Sequence, residues 1–118
     1  MAVIPMDGAQ YEEMVNSGRV FLVAFWTDWS EDYKELLDVL EPLAEEYQGR
    51  VVVGSINADQ EGFLAMELGV AVLPTIIIYK GGIEMDRVAG CNSTALYSRM
   101  LQVRLTPDEP DDVPPGYI

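Results

Sequence analysis

The chain has 118 residues, 49% of them apolar and 23% charged, which fits one globular domain and is too short for a multidomain mechanism. Twenty Asp and Glu against seven Lys and Arg give a net charge of −13, so nucleic-acid phosphates and anionic membranes are repelled and any partner steered by this field is basic. No histidine and a single cysteine, Cys91, rule out imidazole catalysis and ligation, an internal disulfide and a thiolate zinc site.

Taken in chain order, a weak first strand near Val3-Ile4 precedes a helix from Gly8 to Asn16. Val20 to Trp26 is a continuous apolar run, the pattern of a central parallel strand covered on both faces. A crossover helix is predicted from Ser30 to Tyr47, with Leu36, Leu37, Leu40, Leu43, Ala44 and Tyr47 at helical spacing and Gly49 just past its end. Ser30 is a good N-cap, Glu31 and Asp32 suit the positive end of the helix dipole, and Pro42 should bend the helix about one turn upstream. Val51 to Asn57 and Thr75 to Tyr79 are further buried strands, with a short helix from Gln60 to Leu68 between them. Lys80-Gly81-Gly82-Ile83 makes a hairpin into a strand from Glu84 to Ala89. Asn92 or Ser93 caps a last helix whose apolar residues Leu96, Met100, Val103 and Leu105 recur at helical spacing. The sequon Asn92-Ser93-Thr94 is read as this cap. Residues 1–105 form the domain, and 106–118, with four prolines and four acids, form a tail without a core. No apolar run reaches the ~20 residues needed to cross a bilayer, and Met1 to Asp7 lack a secretory pattern, so a cytoplasmic protein is expected.

Several segments at fixed separations resemble the thioredoxin family. They are Phe21 to Trp29, Leu43-Ala44-Glu45-Glu46-Tyr47, Asn57-Ala58-Asp59-Gln60, Gly69 to Thr75, and Lys80-Gly81-Gly82. The resemblance covers about Tyr11 to Leu105 and implies an α/β thioredoxin fold, a central mixed sheet flanked by helices on both faces. It also places the family's Trp-Cys-Gly-Pro-Cys-Lys active site on Trp29-Ser30-Glu31-Asp32-Tyr33-Lys34, where Ser30 and Tyr33 replace both sulfurs. A serine C–O bond cannot enter thiol–disulfide exchange. Two more departures accompany this one. The acid that the family buries beneath its cysteines corresponds to Ala24, and a basic residue near it to Ser55. Burying an unpaired carboxylate costs several kcal/mol, so a site with no proton to move gains stability from alanine. The resemblance thus implies a redox-inactive relative with no cofactor.

By the same resemblance, a shallow groove for an extended peptide is lined by Trp29, Leu73, Pro74, Thr75, Gly90 and Cys91, with the Leu73–Pro74 bond cis and an uncharged rim at Val70, Ala71 and Val72. Cys91 falls at the groove edge ahead of a helix N-terminus, without a resolving cysteine. Asp28, Glu31 and Asp32 read as solvated acids, without a calcium loop and with no metal implied. Three functional readings stay open: a non-catalytic protein that binds a peptide or protein partner, basic by charge; a role in cell redox homeostasis through the thiol of Cys91; and a structural homodimer. Nucleic acid and membrane are not expected partners.

Overall fold

In the computed structural model, which describes residues 2–29 and 33–106, nine elements follow one another: β1 (Ile4–Pro5), α1 (Gly8–Ser17), β2 (Phe21–Trp26), α2 (Tyr33–Glu46), β3 (Val52–Asn57), α3 (Gly62–Glu67), β4 (Thr75–Lys80), β5 (Ile83–Ala89) and α4 (Thr94–Leu105). The strands form one mixed sheet in the order β1-β3-β2-β4-β5. β2 lies at its centre, parallel to β3 and antiparallel to β4. Its alternating side chains feed two apolar layers. Leu22 and Ala24 join Leu36, Leu40, Leu43 and Tyr47 of the α2 region and Tyr97 and Leu101 of α4 on one face. Phe21, Val23 and Phe25 join Tyr11 of α1 and Ala65 of α3 on the other. Both faces are covered, which is why the run from Val20 shows no polar alternation.

Local chemistry sets the ends of the elements. The Asp7 carboxylate accepts from the Gln10 backbone N–H at 2.8 Å, and the Gln10 side chain accepts from the Asp7 N–H at 2.9 Å. This reciprocal pair starts α1, and Gly18 ends it in the left-handed conformation. Gly81 and Gly82, both at positive φ, make the tight turn between β4 and β5. Of the two candidate caps for α4, Ser93 is the one used, its side chain accepting from the Leu96 N–H.

The last helix corrects the sequence expectation. α4 buries Tyr97 and Leu101, with Met100 and Leu105 packed half-buried against the same layer, whereas Leu96 is 39% and Val103 59% exposed. Apolar residues occur all round this helix, so spacing does not select a face. Tyr97 does, because its hydroxyl has backbone partners beneath the sheet end, and Leu101 follows one turn later. α2 continues through Pro42, and its described part begins at Tyr33. Ser30, Glu31 and Asp32, including the predicted N-cap, lie outside the described residues, as does the tail from Pro107 to Ile118. α3 is shorter than the predicted Gln60 to Leu68 because the Asn57 side chain draws the backbone N–H groups of Asp59 and Gln60 into a turn.

On the α1 face, the hydroxyls of Tyr11 and Tyr79 hydrogen-bond to each other, and Phe21 stacks on Tyr79 with ring centroids 4.9 Å apart. Burial raises the pKa of both tyrosines above their usual value near 10.

Two predictions follow from this packing. Leu101→Ala should destabilise the protein by about 2–5 kcal/mol, while Val103→Ala should change stability by no more than about 0.5 kcal/mol; denaturant midpoints measure both. The buried tyrosines stay protonated in the native state after their unfolded counterparts begin to ionise, so stability should be intact below pH 10 and fall above it. A Tyr11→Phe/Tyr79→Phe variant should show a shallower loss in urea titrations between neutral and strongly alkaline pH.

Candidate functional site

The register of the sheet brings four loops to one end. β2 ends with Trp26 opposite Asn57 of β3, Phe25 lies opposite Thr75 at the start of β4, and Thr75 lies opposite Ala89 at the end of β5. The chain therefore leaves or enters the sheet here at Thr27 to Trp29, at Ala58 to Glu61, at Leu73-Pro74, and at Gly90 to Asn92. Every described residue expected to line the groove sits on one of these loops or at its junction with a strand.

Pro74 and Gly90 are joined directly. The Leu73–Pro74 bond is cis, and the Pro74 carbonyl accepts from the Gly90 N–H at 2.7 Å. The Thr75 hydroxyl donates to the Val72 carbonyl, closing the turn. Gly90 has φ +84, a conformation that a side chain would strain. Tyr97 supports this loop from below: its hydroxyl accepts from the Asn92 N–H at 2.9 Å and donates to the Gly90 carbonyl at 3.3 Å. Burial raises the Tyr97 pKa, the Asn92 bonds opposing it. Ala71 and Val72 are exposed and Val70 and Leu73 half-buried, whereas Pro74 and Thr75, both expected to line the groove, are buried.

Trp29 stands on the loop after β2 with 70% of its surface exposed. Its indole Nε1 donates to the Asp59 carboxylate at 2.8 Å. Asp59 is itself oriented by Asn57, whose side-chain oxygen accepts from the Asp59 N–H at 2.8 Å. Sequence reasoning used Asn57 and Asp59 only as marks of resemblance and missed this role. The usable signal was an acid two residues beyond a strand end, at the sheet end where Trp29 emerges.

Beneath these loops the sheet is apolar. Ala24 is fully buried, opposite Ser55 on β3 and Ile76 on β4. Ser55 is buried too. The two positions inferred to have lost a proton relay are therefore cross-strand neighbours, and neither side chain titrates. Cys91 is half-buried and packs against the layer that includes Tyr97 and Leu101. Its position is at the rim, but its side chain contributes to the core.

Among the described residues no group of three His, Cys, Asp or Glu is arranged to hold a metal ion, and no helix is long and apolar enough to cross a membrane. A hollow of about 240 Å³ is lined by Ala2, Ile4, Ala44, Gln48, Val51 and Val53. It lies at the opposite end of β3 and carries no titratable side chain.

Comparison with known proteins agrees with this geometry. The thioredoxin family model matches residues 2–102. Thioredoxin 1 of Nostoc sp. is 29% identical over 99 residues, spanning 84% of this chain and 92% of its own length. A Staphylococcus aureus thioredoxin is 34% identical over 90 residues, spanning 76% of this chain and 86% of its own. The crystal structure of chloroplastic thioredoxin z superposes with a TM-score of 0.82 at 28% identity, covering 91% of this chain and 97% of that one. With the family model matched over almost all of the described residues and a solved thioredoxin superposing on 91% of the chain, this chain belongs to the thioredoxin family.

Proposed function

We propose that this thioredoxin-like chain is non-catalytic and binds a peptide or protein partner at the surface around Trp29, Pro74 and Gly90. The observation that carries the proposal is the buried Ala24/Ser55 pair. Dithiol exchange requires an attacking thiolate, a second thiol to resolve the mixed disulfide, and a group that takes the second thiol's proton. Ser30 and Tyr33 provide no sulfur, and neither Ala24 nor Ser55 carries the carboxylate or amine that the family's proton transfer uses. The changes fall at linked positions, which fits loss of one reaction better than isolated drift.

The retained features serve binding. Pro74 and Gly90 are locked together by a backbone hydrogen bond, and the Trp29 indole is held in solvent by Asp59. A pre-ordered apolar surface loses little conformational entropy when a peptide lies across it. Pro74 itself is buried, so the apolar area beside it comes from the exposed, uncharged rim at Ala71 and Val72. A thiol role for Cys91 draws less support, because a half-buried sulfur packed against the core is poorly placed to attack a protein disulfide.

Reduction of a disulfide substrate in the presence of thioredoxin reductase and its reductant tests the proposal: the rate should equal that without the protein, and sustained turnover would overturn it. Cys91 should react with a bulky maleimide far more slowly in the native protein than in denaturant. Equal rates would restore the thiol reading. Trp29→Ala should leave thermal stability nearly unchanged while weakening partner capture, as expected of an exposed side chain used for contact.

A further inference from the structure

Outside the groove, the largest exposed apolar side chains near this end of the sheet belong to α3. Phe63 is 72% and Met66 70% exposed, and their i, i+3 spacing puts them on one face of the helix. The opposite face carries Ala65, Leu64 and Leu68, which pack into the α1-side core. The helix is therefore already anchored without Phe63 and Met66. Chain order links this face to the groove at both ends. Four residues before Phe63, Asp59 holds the Trp29 indole. After Met66, the Gly69 and Val70 N–H groups bond back to the Met66 and Ala65 carbonyls, and the chain runs straight into the exposed rim at Val72, itself 52% exposed.

The surrounding charge has one dominant sign. No Lys or Arg occurs between Arg19 and Lys34 or between Arg50 and Lys80, while Asp28, Asp59, Glu61 and Glu67 lie in those two stretches. Lys34, at the start of α2, is the nearest cation in sequence to the Trp29 loop. Like charge disfavours two occupants that this chain could itself supply. The tail brings Asp108, Glu109, Asp111 and Asp112, and a second copy brings a further −13. A cationic segment meets complementary charge on the rim and apolar surface at the centre.

We infer that the outer face of α3, through Phe63 and Met66, extends the Trp29 surface into a docking site for a partner-protein segment that carries apolar side chains interspersed with Lys or Arg. This rests on the binding function proposed above and adds to it the partner's chemistry and a second anchor. Trp29 and Phe63 provide large aromatic contacts, and Met66 provides a flexible apolar one that adapts to its occupant. The acids raise the rate of encounter and make affinity fall with salt.

A synthetic peptide alternating Leu and Lys, compared with Leu/Glu and Leu/Ser peptides of equal length, provides the test. Binding is read by NMR from the Met66 methyl and the Trp29 indole N–H. The Leu/Lys peptide should shift both signals and bind more tightly than either counterpart. Phe63→Ser/Met66→Ser leaves the net charge unchanged and removes only exposed side chains, so it should weaken binding about tenfold at unaltered melting temperature. If Trp29→Ala weakens binding and the α3 variant does not, the groove reading stands and the α3 site is overturned. If only the α3 variant weakens binding, the groove reading falls, and with it the inference that α3 extends the Trp29 surface. If neither does, or if the Leu/Glu peptide binds equally well, the inference is overturned.

Discussion

Burial of β2 on both faces is the constraint on which the rest of the structure depends. Phe21 to Phe25 are inaccessible to solvent, so every side chain on this strand must suit the layer into which it points. A carboxylate at residue 24 would have to be desolvated, and it is tolerated only where its proton chemistry repays a cost of several kcal/mol. Ser30 and Tyr33 stand in place of the family's thiols, so under the proposed non-catalytic reading nothing repays that cost, and Ala24 continues the apolar layer from Leu22 to Ile76. The strand that organises the sheet thereby links the core to the fate of the site.

The same strand explains how loops far apart in sequence meet. β3 and β4 take their register from β2, and β5 takes its register from β4, so Trp29, Asp59, Pro74 and Gly90 all emerge at one end of the sheet. Short-range bonds then fix each one: Asp59 to the indole, Pro74 to Gly90, and Tyr97 to Gly90 and Asn92. The surface is ordered by its scaffold and requires no thiol to hold its shape. Acids concentrate in the chain segments that form it, a charge that under the proposed binding role favours a cationic partner.

Much of the fold was legible because its signals are strong and local. The apolar run from Val20 and the hairpin glycines at 81 and 82 each state one conformation in a few residues, while the cap of α4 was legible only as Asn92 or Ser93. The linked segments around Pro74 mark the cis turn into β4 in the same way. α4 was misread because its apolar residues lie on several faces; the buried one is selected by Tyr97, whose hydroxyl partners are contributed by the loop after β5. Asp59 was missed as a site residue because its role exists only once β2 and β3 lie side by side. Phe63 and Met66 were overlooked for a related reason: at helical spacing an apolar pair looks like core, and only the packing of Ala65 and Leu68 on the opposite side shows that it faces solvent.

The central claim is that the family's reaction is missing at linked positions rather than at two cysteines alone. It is tested most directly by comparing the disulfide-reduction rate of a Ser30→Cys/Tyr33→Cys variant with that of the same variant carrying Ala24→Asp, each checked for retained folding. The two-cysteine variant should be a weak enzyme, because Glu31 and Asp32 raise the thiol pKa by like-charge repulsion and Ala24 takes no proton. Adding the buried acid should increase the rate by about tenfold or more, at a cost in stability. A two-cysteine variant as active as an ordinary thioredoxin, with no gain from the acid, would contradict the account.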